Sequence, residues 1–145
     1  MDHLFLDEGD PRKYRGPMPP SKKDVLLQLA EGLAYIHMKK LIHRDIKLLN
    51  VLICIGYDET SREEKVLMKW ADFGLSKRVS REGTASVTGS MGTPYWKAPE
   101  VKEKENDMNI VWGNESCTTK SDVFAEGLVF VYFIWDGKHP LDSNG

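Results

Sequence analysis

Three polar side chains are of the types that phosphoryl transfer would require. Asp45 and Asn50 lie on one polar stretch, and Asp72 follows the apolar run from Val66 to Trp70. Transfer of a γ-phosphoryl group needs a carboxylate beside the attacking hydroxyl and oxygen ligands that hold Mg²⁺ against the phosphates. A single loop aspartate is more often a solvated carboxylate or a turn former. The three groups could support this chemistry only if the fold brings them together.

A hairpin is predicted to bring these groups together. The β-branched run Val51 to Ile55 and the run Val66 to Trp70 flank a polar loop at residues 56–64. Because neighbouring strands lie about 5 Å apart, the hairpin would place Asp72 opposite Asn50. Both side chains would then face the same metal ions.

Two helices are predicted to pack on this hairpin. Ser21 and Asp24 fit a capping box at the start of the first, whose apolar residues recur at steps of three and four through about His37: Val25, Leu26, Leu29, Leu33 and Ile36. The second covers residues 122–135 and is apolar except at Glu126. We expect this second helix to be buried, with its aromatic residues in the core: Phe124, Phe130, Tyr132, Phe133 and Trp135.

Composition is typical of one soluble globular domain, since the 145 residues are 41% hydrophobic and 29% charged. The net charge of -2 gives no overall basic footprint, so no direct nucleic-acid site is expected. No signal peptide or membrane segment is predicted, which favours a cytoplasmic location.

Cys54 lies in an apolar run and is expected to be a core residue. Cys117 is distant from it in the sequence and lies in different surroundings, so no disulfide framework is predicted.

Three short motifs occur in a fixed order along the chain. They are His43-Arg44-Asp45 with Asn50, then Asp72-Phe73-Gly74, then Ala98-Pro99-Glu100. This is the signature set of protein kinases, and by chance it should arise in fewer than about one chain in a million. Residues from about Ser21 onward therefore resemble the C-lobe of a eukaryotic protein kinase.

The resemblance implies a role for each matched residue that would touch the reaction. Asp45 would be the catalytic base and Lys47 would neutralise the γ-phosphate, while Asn50 and Asp72 would ligate Mg²⁺. Leu52 would contact the nucleotide. Lys47 stands two residues after Asp45, which is the pattern of serine/threonine kinases. The cofactors implied are ATP and Mg²⁺, and the partner implied is a protein substrate.

The resemblance also implies structural and regulatory residues. The structural set is His43, Phe73, Gly74, Glu100 and Asp122. Asp122 would anchor the spine formed by His43 and Phe73, and Glu100 is expected to be a buried carboxylate without its family arginine. Arg44 would pair with a phosphate on the long loop, for which the candidate sites are Ser86, Thr88 and Ser90. The segment 92–96 would lie under the substrate peptide.

A narrower resemblance is carried by three further stretches: Leu75-Ser76-Lys77, residues 127–132 and residues 137–141. They resemble the inositol-requiring kinase/endoribonuclease of the unfolded-protein response and its relative ribonuclease L. In that branch an ER-membrane or repeat domain precedes the kinase and a ribonuclease domain follows it. A kinase dimer is then a candidate partner, and a full-length relative anchored in the ER membrane would expose this domain to the cytosol.

The predicted fold is α+β and mainly helical: a truncated kinase-like C-lobe that lacks the N-lobe and the last helices. Residues 1–20 would be a loop segment from the interlobe region and residues 21–145 the partial C-lobe. The expected parts of that lobe are a catalytic loop at 43–50, a metal loop and activation segment at 72–100, an insertion at 101–120 and a buried helix at 122–135. Two functions stay open: a serine/threonine kinase domain, or a catalytically incompetent module that binds nucleotide or protein.

Overall fold

The structure, a computed structural model, describes residues 4, 8–79, 84–86, 92–101 and 116–141. These residues form two helices and three two-stranded antiparallel sheets. In chain order the elements are α1 (Lys22–Met38), β1 (Leu41–Ile42), β2 (Val51–Asp58), β3 (Glu63–Trp70), β4 (Lys77–Arg78), β5 (Thr84–Ser86), β6 (Ser116–Thr118) and α2 (Thr119–Ile134). The arrangement is α+β, and within the described part the two α-helices hold more residues than the six strands.

Helix α1 begins where its capping residues predicted. The Ser21 hydroxyl accepts a hydrogen bond from the Asp24 backbone N–H at 3.2 Å and donates one to the Asp24 carboxylate at 2.6 Å. These bonds satisfy a backbone donor that the first helical turn leaves unpaired. The buried face of the helix carries four residues of the predicted stripe: Val25, Leu29, Leu33 and Ile36.

Strands β2 and β3 form the predicted hairpin. Both strands extend beyond the predicted apolar runs, β2 as far as Asp58 and β3 from Glu63. Val51 pairs with Trp70, and the Ala71 N–H donates to the Asn50 carbonyl at 2.8 Å. Trp70 is buried and its indole N–H donates to the Leu29 carbonyl at 3.0 Å. The hairpin therefore packs on the buried face of α1, and at its base the loop that carries Asp45 ends and the loop that carries Asp72 begins.

Helix α2 is buried on one face only, so the prediction of a fully buried helix over residues 122–135 was wrong. Phe133 is 6% exposed, but Phe124 is 39% exposed and Trp135, just after the helix, is 54% exposed. Glu126 is buried, although it is the one charged residue in the apolar run. A helix that is apolar around its whole circumference carries no stripe from which its buried face can be predicted.

A small second core joins β1, the segment 98–101 and β6. Its buried members are Ile42, Ala98, Val101 and Cys117. Neither cysteine is in a disulfide; Cys117 is buried, whereas Cys54 is half-buried and is not the core residue that its apolar run predicted. Among the residues that the structure describes, no helix combines the length and apolar character needed to cross a bilayer. Of the expected insertion at 101–120, residues 102–115 lie outside the described part.

Candidate active site

The carboxylate of Asp45 is held by three side chains from two separate loops. Lys47 Nζ lies 2.7 Å from Asp45 Oδ2, and the Asn50 side-chain amide donates to the same oxygen at 3.0 Å. The hydroxyl of Thr93 donates to Oδ1 at 2.9 Å and accepts from Lys47 Nζ at 2.7 Å. These contacts fix the orientation of the carboxylate and keep the lysine charge beside it.

This network decides the protonation state of Asp45. Burial alone would raise the pKa of its carboxyl, but hydrogen bonds from Lys47, Thr93 and Asn50, together with the lysine charge, lower the pKa below its ordinary value. Asp45 is therefore an ionised carboxylate at neutral pH. Such a group accepts a hydrogen bond from an incoming hydroxyl, and its low basicity suits it to orienting that hydroxyl more than to removing its proton early.

Asn50 and Asp72 are brought to neighbouring positions by the base of the hairpin. The backbone N–H of Ala71 donates a hydrogen bond to the carbonyl of Asn50, and Asp72 is the next residue after Ala71. Asn50 uses its side-chain nitrogen to donate to the Asp45 carbonyl at 2.7 Å, which leaves its side-chain oxygen as an acceptor for other ligands. The Asp72 side chain accepts from the Gly74 N–H at 3.2 Å and is exposed.

These two side chains fit a magnesium ion in their chemistry, since both present hard oxygen ligands and Mg²⁺ is normally held by one or two carboxylates with water and phosphate oxygens. The described residues contain no group of three or more His, Cys, Asp or Glu that could hold a metal by themselves. With two protein ligands, the remaining coordination positions of Mg²⁺ would be filled by water and phosphate oxygens.

Asp122 on α2 holds the backbone of the loop that carries Asp45. Its carboxylate accepts from the N–H of His43 at 2.8 Å and of Arg44 at 2.9 Å, and it also contacts His37 Nε2 at 2.9 Å. The carboxylate is buried, so these partners replace the water it has lost. Arg44 adopts a left-handed conformation at φ 70° and Asp72 one at φ 60°, and non-glycine residues keep such conformations only where surrounding contacts enforce them.

His43 lies at the centre of the aromatic contacts behind the site. It is fully buried, and its ring centroid lies 5.0 Å from that of Phe73 and 6.4 Å from that of Trp70. Its Nε2 bonds the Ala71 carbonyl at 3.0 Å, which ties the first loop to the second. Phe73 itself remains 46% exposed. The structure thus brings His43, Phe73 and Asp122 into one assembly.

The expectation that Glu100 is a buried, unpaired carboxylate was wrong. Glu100 is exposed and accepts a hydrogen bond from the Ser121 hydroxyl at 3.1 Å. Water can solvate the carboxylate, so the desolvation penalty of a buried charge does not arise. Gly74, which also belongs to the predicted structural set, is exposed and donates its backbone N–H to the Asp72 carboxylate.

Arg44 is buried, and its Nε and Nη1 have no hydrogen-bond partner among the described residues. Of its predicted phosphate-bearing partners, Thr88 and Ser90 lie outside the described residues, and only the backbone of Ser86 is described, as part of β5 paired with β6. Pairing of Arg44 with a phosphorylated loop residue stays a prediction.

Two residues of this site were missing from the predicted catalytic and binding set. Thr93 was placed only in the substrate platform, although it joins Asp45 to Lys47. Gly92 adopts φ 84°, and a side-chain carbon there would lie 3.3 Å from the Arg44 carbonyl oxygen. The Gly-Thr pair was visible in the sequence, but its contact with a loop more than 40 residues earlier was not.

Residues 137–141 pack against the predicted substrate platform. The ring of His139 stands nearly perpendicular to that of Trp96, with centroids 4.7 Å apart, and Tyr132 of α2 lies 6.1 Å from the same tryptophan. Edge-on aromatic contacts of this kind stabilise a packed cluster beyond their buried area. The platform is thus supported from α2 and the turn that follows it.

The loop of Asp45, the neighbouring loop of Asp72 and the helix residue Asp122 thus form one connected arrangement. The family described as the protein kinase domain matches residues 13–145, and the chain belongs to that family. The resemblance predicted from the motifs is confirmed.

The curated relatives include kinase/endoribonucleases. The serine/threonine-protein kinase/endoribonuclease ireA of Aspergillus fumigatus is 32% identical over 84% of this chain and 12% of its own length, and ire-1 of Caenorhabditis elegans is 34% identical over 84% and 12%. The serine/threonine-protein kinase pakH of Dictyostelium discoideum is 38% identical over 82% of this chain and 19% of its own length. The chain thus spans between about an eighth and a fifth of the length of these relatives.

Proposed function

We propose that residues 21–145 form the C-lobe core of a serine/threonine protein kinase, which transfers the γ-phosphate of ATP to a Ser or Thr hydroxyl of a protein substrate. The observation that carries the proposal is the Asp45 carboxylate, held by Lys47, Asn50 and Thr93 within hydrogen-bond distance. Phosphoryl transfer requires little covalent chemistry from the protein, so positioned charges of this kind supply most of the catalysis.

Each side chain has a defined task in this proposal. Asp45 would accept a hydrogen bond from the substrate hydroxyl and aim its oxygen, and Lys47 would carry positive charge next to the transferred phosphate. Asn50 and Asp72 would hold Mg²⁺, which neutralises phosphate charge when bound. Leu52, which is 53% exposed on β2, would contact the nucleotide.

A second function is favoured by the exposure of these nucleotide-facing groups. Leu52 is 53% exposed, and Asp72 is exposed as well. A site this open to water holds its ligands less rigidly, and catalysis by positioning loses much of its effect when geometry is loose. The alternative is therefore a module that binds nucleotide or protein without transferring phosphate.

One experiment separates the two functions. The 145-residue chain is incubated with radiolabelled ATP, Mg²⁺ and a generic protein substrate, beside Asp45→Asn and the control Asp136→Asn, which alters an exposed carboxylate after α2. Incorporation lost only in Asp45→Asn supports the kinase. Magnesium-dependent ATP binding by calorimetry without incorporation supports the binding module, and failure to bind ATP rejects both nucleotide functions.

We further propose that the chain derives from a kinase/endoribonuclease of the unfolded-protein-response type, with this domain facing the cytosol. The similarity to ireA and ire-1, together with the resemblance carried by residues 75–77, 127–132 and 137–141, supports this proposal. Sequencing the surrounding transcript tests it, because such a protein must encode a ribonuclease domain downstream of the kinase. A transcript without one would reject the assignment. Dimerisation of the kinase domain stays a prediction.

A further inference from the structure

Glu126 is a buried carboxyl that the proposed reaction does not use. It is 7% exposed in the middle of α2, and its Oε1 is buried without a hydrogen-bond partner among the described residues. A carboxylate without partners is costly to bury, so such a group is usually protonated or is paired with a positive charge. Its surroundings therefore decide its protonation state.

The neighbours of Glu126 form a small titratable cluster. Asp122 lies one helical turn earlier on α2, and His37 of α1 bonds Asp122 Oδ2 at 2.9 Å. Burial raises the pKa of Glu126 to about 7, with the charge of His37 lowering it and the charge of Asp122 raising it. The His37 side chain is 16% exposed, which gives the cluster contact with solvent.

The same cluster holds the catalytic loop. Asp122 binds the backbone N–H groups of His43 and Arg44 at 2.8 and 2.9 Å, while its Oδ2 also engages His37. One imidazole nitrogen can serve only one carboxylate well at a time. A second ionised carboxylate one turn away would repel Asp122 and compete for His37.

We propose that Glu126 is a positioning residue whose ionisation loosens the hold of Asp122 on the backbone of the catalytic loop. Neutral Glu126 leaves His37 to Asp122, and the loop is held firmly. The charges that act on Glu126 come from His37 on α1 and Asp122 on α2. His43 and Arg44 of the loop bind Asp122 through their backbone N–H groups, and the described side chains of β6 carry no charge.

Amide hydrogen exchange tests this proposal without any catalytic readout, so its failure is distinguishable from failure of the proposed kinase activity. Protection of the His43 and Arg44 amides is measured in the 145-residue chain from about pH 6 to pH 8, corrected for intrinsic exchange. The Met68 amide, which donates to Gln28 Oε1 in the core, serves as the reference. We expect protection at the two loop amides to fall about tenfold more than at Met68.

Substitutions at Glu126 sharpen the test. In Glu126→Gln, which mimics the neutral acid, the additional loss at the loop amides should disappear. Glu126→Leu should behave the same way and covers the case in which the glutamine variant does not fold. Glu31→Gln alters an exposed carboxylate of α1 and should match the unmodified chain. Equal pH dependence at all three amides, or its persistence in both Glu126 variants, would overturn the proposal.

Discussion

The hydroxyl of Thr93 donates a 2.9 Å hydrogen bond to the carboxylate of Asp45, although the two residues are 48 positions apart in the chain. The same hydroxyl accepts from Lys47 Nζ at 2.7 Å. One side chain from the platform loop therefore sets both the orientation of the candidate base and the place of the neighbouring cation. This makes Thr93 a positioning residue of the site.

Replacement of Thr93 by valine should raise the pKa of Asp45, because the carboxylate loses one of the hydrogen bonds that stabilise its charged form. Thr93→Ser keeps the hydroxyl and should leave the pKa low. Titration of the Asp45 carboxyl by NMR measures both. An Asp45 pKa that is the same in the valine variant as in the unmodified chain would contradict the role of Thr93.

The same contacts should make stability depend on acid. A lowered folded pKa means that Asp45 contributes stability above the ordinary carboxyl pKa of 3.8, and that this contribution is lost as pH falls through the folded pKa. Thr93→Val should therefore be less stable than the unmodified chain at neutral pH and approach it in strong acid. Urea unfolding at several pH values gives this comparison, and a constant difference across the acid range would argue against it.

Substitution of Asp122 by asparagine should lower the free energy of unfolding by about 2–3 kcal/mol, because an amide nitrogen then faces a buried backbone N–H. Asp136→Asn is the matched control. Asp136 is 73% exposed and pairs with Lys22 at 2.6 Å, and exposed ion pairs contribute little. Urea unfolding should separate the two variants clearly. Similar losses in both would mean that Asp122 is not the anchor its geometry indicates.

Glu126 should make the chain less stable as pH rises. Its pKa is raised from 4.5 to about 7 in the folded state, so its stabilising contribution is complete below about pH 4.5 and lost as pH rises toward 7. The loss should stay below about 3 kcal/mol, because water partly screens the group. Glu126→Gln should remove this part of the pH dependence. Thermal unfolding of both chains between about pH 4.5 and pH 8 checks the prediction, and parallel curves would refute it.

Replacement of Gly92 by alanine should destabilise the chain by about 1–2 kcal/mol, because φ 84° is unfavourable for a residue with a side chain. The new carbon would also lie 3.3 Å from the Arg44 carbonyl oxygen. Gly127→Ala is the control, since a carbon at this helical position meets nothing within 4 Å and should stabilise α2 slightly. Urea unfolding of the two variants should give changes of opposite sign.

Much of the local structure could be predicted from residue order. The stripe and cap of α1 and the β-branched runs of the hairpin are short-range signals, and the elements lie where those signals placed them. The hairpin also carries Asp72 to the neighbourhood of Asn50 for the same reason, since its register follows from nearby residues. The kinase motifs were likewise identifiable, because each is a short run of fixed spacing.

The sequence by itself thus determined the family, the identity of the candidate catalytic groups and the elements that carry them. Only the tertiary structure decided which face of α2 is buried, that Glu100 is exposed, that Glu126 is buried beside Asp122, and that Thr93 joins Asp45 to Lys47. The physical reason is that these contacts link residues far apart in the chain. Their partners are selected by packing, and neither periodicity nor motif spacing encodes packing directly.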